Sequence, residues 1–317
     1  MKAEKKVLLS VLILPGLMAE ILSTNMPVQK FLDPFVFIVI ALVYGCGSLI
    51  IREARIRWKM QWSVVFLAIA YGIYEEGITT RAFFNPYWFG EGALSGNWMF
   101  FGVQWGWTIL LLVLHASLST LIPIYLVGEL WPEVKDKPIL GKVGIVIVLL
   151  GMATAMTIGM LTLSGGKYNI PFYPDPMLLV GSFITVAVLI LLAYRFRGSR
   201  LVSKRGLLPP SAILILSFLF QFGNASFPPA LANAGVMAEI GIGIQLLLVS
   251  AFALFAASQI LHEKADKRHY AAYAFGSVLF WIVVSSLVGI FGRVDLIAAS
   301  PVALVLLALW RRKVLKN

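Results

Sequence analysis

Long apolar runs, broken by short polar or proline- and glycine-bearing stretches, recur from one end of this chain to the other. They lie at about 7–24, 35–51, 62–84, 101–130, 143–164, 176–194, 207–223, 236–261, 271–292 and 295–310. Their apolar positions are continuous rather than alternating, as they would be in the strands of a membrane barrel. Most have the roughly 17–25 residues that an α-helix needs to cross the hydrocarbon of a bilayer. Backbone polar groups in lipid must be satisfied within the segment, which a helix does. The pattern predicts an all-α polytopic transmembrane helix bundle of about ten spans, a single integral membrane domain over 1–317. Only Arg293 and Asp295 interrupt the last two runs, which reads as a tight hairpin closed by an ion pair.

Composition sharpens this reading. Hydrophobic residues make up 60% of the chain and charged residues 13%, whereas soluble domains carry about 25% charged residues. The net charge of +11 invites nucleic acid as a partner, but its distribution excludes that. With the N-terminus placed inside, 22 of the 26 basic residues fall in inside segments, and only Lys30, Arg81, Lys167 and Arg293 fall outside or near an outer end. Cytoplasmic loops are enriched in this way. The expected topology puts both termini in the cytoplasm of a cell whose plasma membrane holds the protein, with lipid headgroups as partners of the basic loops. The first run is expected to be a retained helix, since no A-x-A-like cleavage site follows Leu14–Ser23. Tryptophans agree with the topology: Trp58, Trp62, Trp131 and Trp310 fall near the inner boundary, Trp88, Trp98, Trp105 and Trp107 near the outer one, and Trp281 mid-span. The longest outside stretch, about 85–100 with Glu91 as its one charge, is expected to fold back onto the helix ends. Cys46 is the only cysteine, so no internal disulfide forms, and packing is its expected role.

Chemistry is sought where polarity is expensive. An ionisable side chain at bilayer depth costs roughly 2.5–3.5 kcal/mol on insertion scales. The candidates are Glu20, Glu75, Glu76, Arg81, His115 and Glu239. Glu75 lies about 13 residues into its run, or about 20 Å at 1.5 Å per residue, which is past the midplane. Neighbours on an α-helix point about 100° apart, so Glu75 and Glu76 are expected to need different partners. Thr79 and Thr80 lie one turn above them, Arg81 can reach back to pair, and Gly72 and Gly77 permit close approach of another helix. The next run carries His115 and Ser119 on one face, with Pro123 one turn on. Pro123 has no N–H for the Ser119 carbonyl and is expected to kink the helix there. His262 and His269 fall in a basic loop; Gln221 and Asn224 close another span. The expected result is a buried Glu/His site open to the outer half of the bilayer. One in-span histidine and separated glutamates do not make a zinc triad, so neither metal nor cofactor is expected.

The pair Glu75-Glu76 followed by Arg81, with His115 in the next helix, resembles the CAAX-protease and bacteriocin-processing family of intramembrane peptidases. The resemblance covers about residues 71–120. It implies that Glu75 or Glu76 activates water and that His115 helps hold the oxyanion, with a membrane-embedded peptide as substrate. The family motif places its Arg four residues after the second Glu, whereas Arg81 stands five after Glu76; Leu111 stands where that family has Phe, and no later span carries the family's third-motif histidine. The function expected first from the sequence, with the peptidase as its alternative, makes the same carboxylates the proton carriers of a proton-coupled small-solute transporter; ten spans divide into five plus five, and in size and count the chain resembles the drug/metabolite transporter superfamily. A third is a non-catalytic membrane binding or assembly protein. As substrate- or proton-binding residues the first two share Glu75, Glu76, Arg81, His115, Ser119, Glu20 and Glu239.

Overall fold

The computed structural model describes residues 1–88, 98–162, 172–204 and 206–316. Ten long helical segments stand at the ten apolar runs. In order, α1 is Ala3–Gly16 continued through Leu17–Leu22, α2 is Pro34–Arg57, and α3 is Val64–Gly72 continued through Ile73–Thr79. Then come α4 Trp105–Leu130, α5 Lys142–Thr162, α6 Pro176–Arg195, α7 Pro210–Asn233, α8 Ala238–Ile260, α9 Lys267–Ile290 and α10 Val294–Lys316. Eight of the ten are long and apolar enough to cross a membrane by length and composition. The other two are α1, with lysines at its start, and α3, which is short and carries the glutamate pair.

Local chemistry starts several helices. Asp33 precedes Pro34 at α2, and its carboxylate accepts from Phe35 N and Val36 N at 3.0 and 3.1 Å. Asp175 does the same before Pro176, accepting from Met177 N at 2.8 Å. Proline lacks the N–H that a first turn leaves unpaired, and the aspartate caps the N–H groups behind it. Asp266 caps α9 through Arg268 N at 2.9 Å.

Helices α1 to α4 form the centre, with α9 against them. In its apolar stretch α4 is 67% buried, while α6 and α8 are only 11% buried, as expected of helices whose apolar surface meets lipid. Helices α5 and α6 pack on α2 and α3, and α7 to α10 pack on one another and on α4. The packing therefore groups six helices and four, where the count alone suggests five and five.

Several expectations change. Trp98 and Trp310 are packed inside the protein rather than turned to lipid. Trp98 is buried against Gly106 of α4 and Gly241 of α8, and Trp310 donates from Nε1 to the Leu126 carbonyl at 2.8 Å. Arg52 is not spent on headgroups either. It is buried, meets Glu53 at 3.0 Å, and donates to the carbonyls of Val134 and Lys137 at 2.7 and 3.1 Å, which straps the 131–141 connection to the end of α2. The Arg293–Asp295 pair forms through two bonds of 2.9 Å. Of the 85–100 stretch, Met99–Phe100 pairs with Val103–Gln104 around Phe101 and Gly102, both at positive φ as a tight hairpin requires. Residues 89–97, including Glu91, lie outside the described residues, as do Lys167 and Arg205.

Candidate functional site

Each of the first four helices widens into a π-helical turn: Leu17–Leu22, Ala41–Gly45, Ile73–Thr79 and Ser117–Leu121. Such turns close i→i+5 bonds and occur often at functional sites. In α3 the Thr80 amide donates to the Glu75 carbonyl at 2.9 Å, five residues back. In α4 the cause is visible: Pro123 cannot donate to Ser119, and that carbonyl accepts instead from Ser48 Oγ of α2 at 2.9 Å. Glu20, Tyr44, Glu75, Glu76 and Ser119 all belong to these turns, and His115 stands just before the fourth.

The geometry overturns the idea that the two carboxylates have separate partners. His115 Nε2 lies 3.0 Å from Glu75 Oε2 and 2.9 Å from Glu76 Oε1. More residues fit into a π turn, so successive side chains diverge less than on an α-helix. Gly72 lets the backbones meet, since a Cβ there would come within 3.2 Å of His115 Cβ. All three side chains are buried: His115 is 1% exposed, Glu75 5% and Glu76 7%.

Further groups complete the ring. Thr80 Oγ1 donates to Glu76 Oε2 at 3.0 Å, whereas Thr79 turns to the Tyr74 carbonyl. His115 Nδ1 meets Ser119 Oγ at 3.1 Å. The imidazole lies between two aromatic rings, stacked on Tyr44 and edge-on to Tyr71, with centroids 6.0 and 6.1 Å away. Tyr44 OH donates to Glu20 Oε1 at 2.6 Å and lies 3.4 Å from Glu75 Oε1. A phenol has one hydrogen, and the shorter contact takes it. Glu75 Oε2 has no partner in hydrogen-bonding geometry despite its 3.0 Å approach to His115 Nε2. Glu20 Oε2 accepts from Asn25 Nδ2 at 2.8 Å.

The structure thus brings Glu20, Glu75, Glu76, His115 and Ser119 together. Arg81 is elsewhere: at φ +62° it leaves the helix, donates to the Phe172 carbonyl at 3.1 Å and lies over the Tyr173 ring at 5.5 Å. Neither Glu75 nor Glu76 is within ion-pair distance of it. Glu239 is exposed in the first turn of α8, where an acidic side chain suits the helix dipole, and it takes no part. Thr80 stands on Glu76 as its place one turn above predicts, whereas Tyr44 and Asn25 are polar members that sequence reasoning passes over; an in-span tyrosine near Gly45 and Gly47 was the available signal for the first.

Fold and site together define a polytopic α-helical membrane protein with a buried glutamate–histidine centre between its first four helices. The chain belongs to an uncharacterized membrane protein family, whose sequence profile matches residues 7–314. No curated protein and no solved structure matches the chain.

Proposed function

We propose that the protein is a glutamate-dependent intramembrane peptidase, acting on a peptide bond of a membrane-embedded substrate. The observation that carries this reading is the approach of both carboxylates to His115 Nε2 at 3.0 and 2.9 Å, well within the reach that general-base catalysis requires. The one extra residue between Glu76 and Arg81, compared with the family that the motif resembles, falls beside a π turn, which takes up one residue more than an α turn. In the reaction, Glu75 removes a proton from water as the water oxygen attacks the carbonyl carbon. Charge that develops on the carbonyl oxygen is met by the N–H of His115. The C–N bond then breaks, and the proton on Glu75 passes to the leaving nitrogen. Glu75 suits the base role because its Oε2 is the carboxylate oxygen without a hydrogen-bond partner. The protein acts in the plasma membrane with both termini on the cytoplasmic side.

The test uses proteoliposomes and fluorogenic transmembrane peptides, with Glu75→Gln, Glu76→Gln and His115→Gln. Cleavage falls at least about 100-fold in each, in line with the loss of a general acid–base group. Cleavage at the wild-type rate in all three overturns the reading. Solute-dependent proton flux that needs Glu75, with no cleavage of any peptide, replaces it with a proton-coupled carrier.

A further inference from the structure

We propose that Glu75, Glu76 and His115 form a binding site for one first-row divalent cation of zinc or manganese type. Hydrogens decide the argument. Ser119 Oγ donates its single hydrogen to the His115 carbonyl at 3.1 Å. Its contact with His115 Nδ1 at 3.1 Å is then one in which the ring donates. A neutral imidazole with its hydrogen on Nδ1 presents a bare lone pair at Nε2. That lone pair faces Glu75 Oε2 and Glu76 Oε1, so three electron-rich atoms converge on one point, all within 4.8 Å of one another. Such an arrangement is repulsive unless something positive sits between them.

Charge gives the same answer. Glu20, Glu75 and Glu76 bring acidic groups into a buried site where, among the described residues, no lysine or arginine lies within ion-pair distance of them. One extra proton on His115 offsets a single negative charge. A divalent cation offsets both carboxylates of the pair and leaves the imidazole neutral, as a metal ligand must be. Glu75 Oε2, buried and without a hydrogen-bond partner, is aimed at the point where the ion would sit.

The dimensions fit. Donors held about 2.0–2.2 Å from a tetrahedral ion stand about 3.4 Å apart. The pairs at 2.9 and 3.0 Å need to open by only a few tenths of an ångström. The far sides of two ligands are already fixed, Glu76 Oε2 by Thr80 and His115 Nδ1 by Ser119, as the outer partners of metal ligands characteristically are. Three protein ligands leave a fourth position for water, which is the plan of a catalytic rather than a structural ion. The inference rests on the same three side chains as the peptidase reading but not on hydrolysis itself; in that reaction the cation, in place of the proton, would polarise the water and the carbonyl.

Protein purified in detergent, stripped with chelator and dialysed against zinc or manganese chloride is expected to bind one ion per chain by elemental analysis. Glu76→Gln and His115→Gln weaken binding at least about tenfold, Thr80→Val weakens it about 10- to 100-fold, and Glu239→Gln binds as wild type. Should the ligand variants fail to fold, a chain with His262→Gln and His269→Gln retains His115 as its one remaining histidine of three. Nitrogen coupling to Mn2+ in its electron spin echo spectrum then identifies the ligand. No binding by the wild-type chain, equal binding by Glu76→Gln and His115→Gln, or no nitrogen coupling overturns the proposal. Metal bound without any peptide cleavage leaves the site standing and removes the peptidase reading. Full cleavage by a wild-type chain that binds no ion does the reverse.

Discussion

Tyr44→Phe removes one oxygen and leaves the ring stacked on His115. The hydroxyl donates to Glu20 Oε1 at 2.6 Å between α2 and α1, and both residues are buried. Interhelical hydrogen bonds in membranes average about 0.6 kcal/mol and reach about 1.7, because an unfolded chain in lipid also finds partners. Here the acceptor is a carboxylate, which strengthens the bond, and removal of the donor leaves Glu20 Oε1 buried and unpaired. A loss of about 1–2 kcal/mol follows. At about 1.4 kcal/mol per tenfold, that is about a five- to thirtyfold change in the folded-to-unfolded ratio. The assay is unfolding of the detergent-solubilised protein for wild type, Tyr44→Phe, Glu20→Met and the double variant. The cycle should be strongly non-additive, with Tyr44→Phe costing little once methionine has removed the acceptor at position 20. Additive costs, or a Tyr44→Phe chain as stable as wild type, would refute the hydrogen-bond order derived for the site.

Three other outcomes follow from the same coordinates. Ser48→Ala strips the Ser119 carbonyl of its donor and is expected to cost about 1–2 kcal/mol, read as a lower denaturation midpoint with no change in helix content. Gly72→Val pushes branched methyls into His115 and Leu112, whose nearest atoms already lie 3.2 Å from a Cβ at that position; the overpacking should cost about 1–3 kcal/mol and separate α3 from α4, seen as loss of a cross-link between engineered cysteines on the two helices. At the start of α9, the hydrogen bonds from Arg268 and His269 hold the Asp266 carboxyl well below the usual carboxylate range. A depressed folded value means that the cap is fully in force above the ordinary value of about 4 and weakens only as pH falls below it, so the protection of the first-turn amides of α9, relative to their intrinsic exchange at each pH, should stay constant from neutrality to about pH 4 and fall in stronger acid.

The ten helices were legible because lipid demands long uninterrupted apolar runs, and that demand is written residue by residue. That Glu75, Glu76 and His115 stand level with one another was legible for the same reason: position within a run fixes relative height. Rotation was not. An α-helical step sends neighbouring glutamates to different partners, and no residue type announces that Ile73–Thr79 closes i→i+5 bonds. Arg81 looked like the natural counter-ion, but the chain leaves the helix at its positive φ and carries the guanidinium to the Phe172 carbonyl. Tyr44 and Trp98 were hidden by their amphipathic character. A phenol or an indole in an apolar run suits a membrane boundary, a packed interior and a polar site equally, and only the facing helices decide among them.

The Arg293–Asp295 hairpin also bears on how the molecule is assembled. Arg293 donates to the carbonyls of Thr24 and Met26 at 3.2 and 2.9 Å, and Asp295 accepts from Val28 N at 2.9 Å. Between those anchor points lies Asn25, whose amide holds Glu20. The turn that steadies the acidic centre is thus pinned by residues 267 and 269 positions further along the chain. During synthesis the first four helices enter the bilayer long before that pin exists. The nascent protein carries its glutamates and histidine with the Asn25 turn unpinned, and only insertion of the final hairpin holds that turn in place.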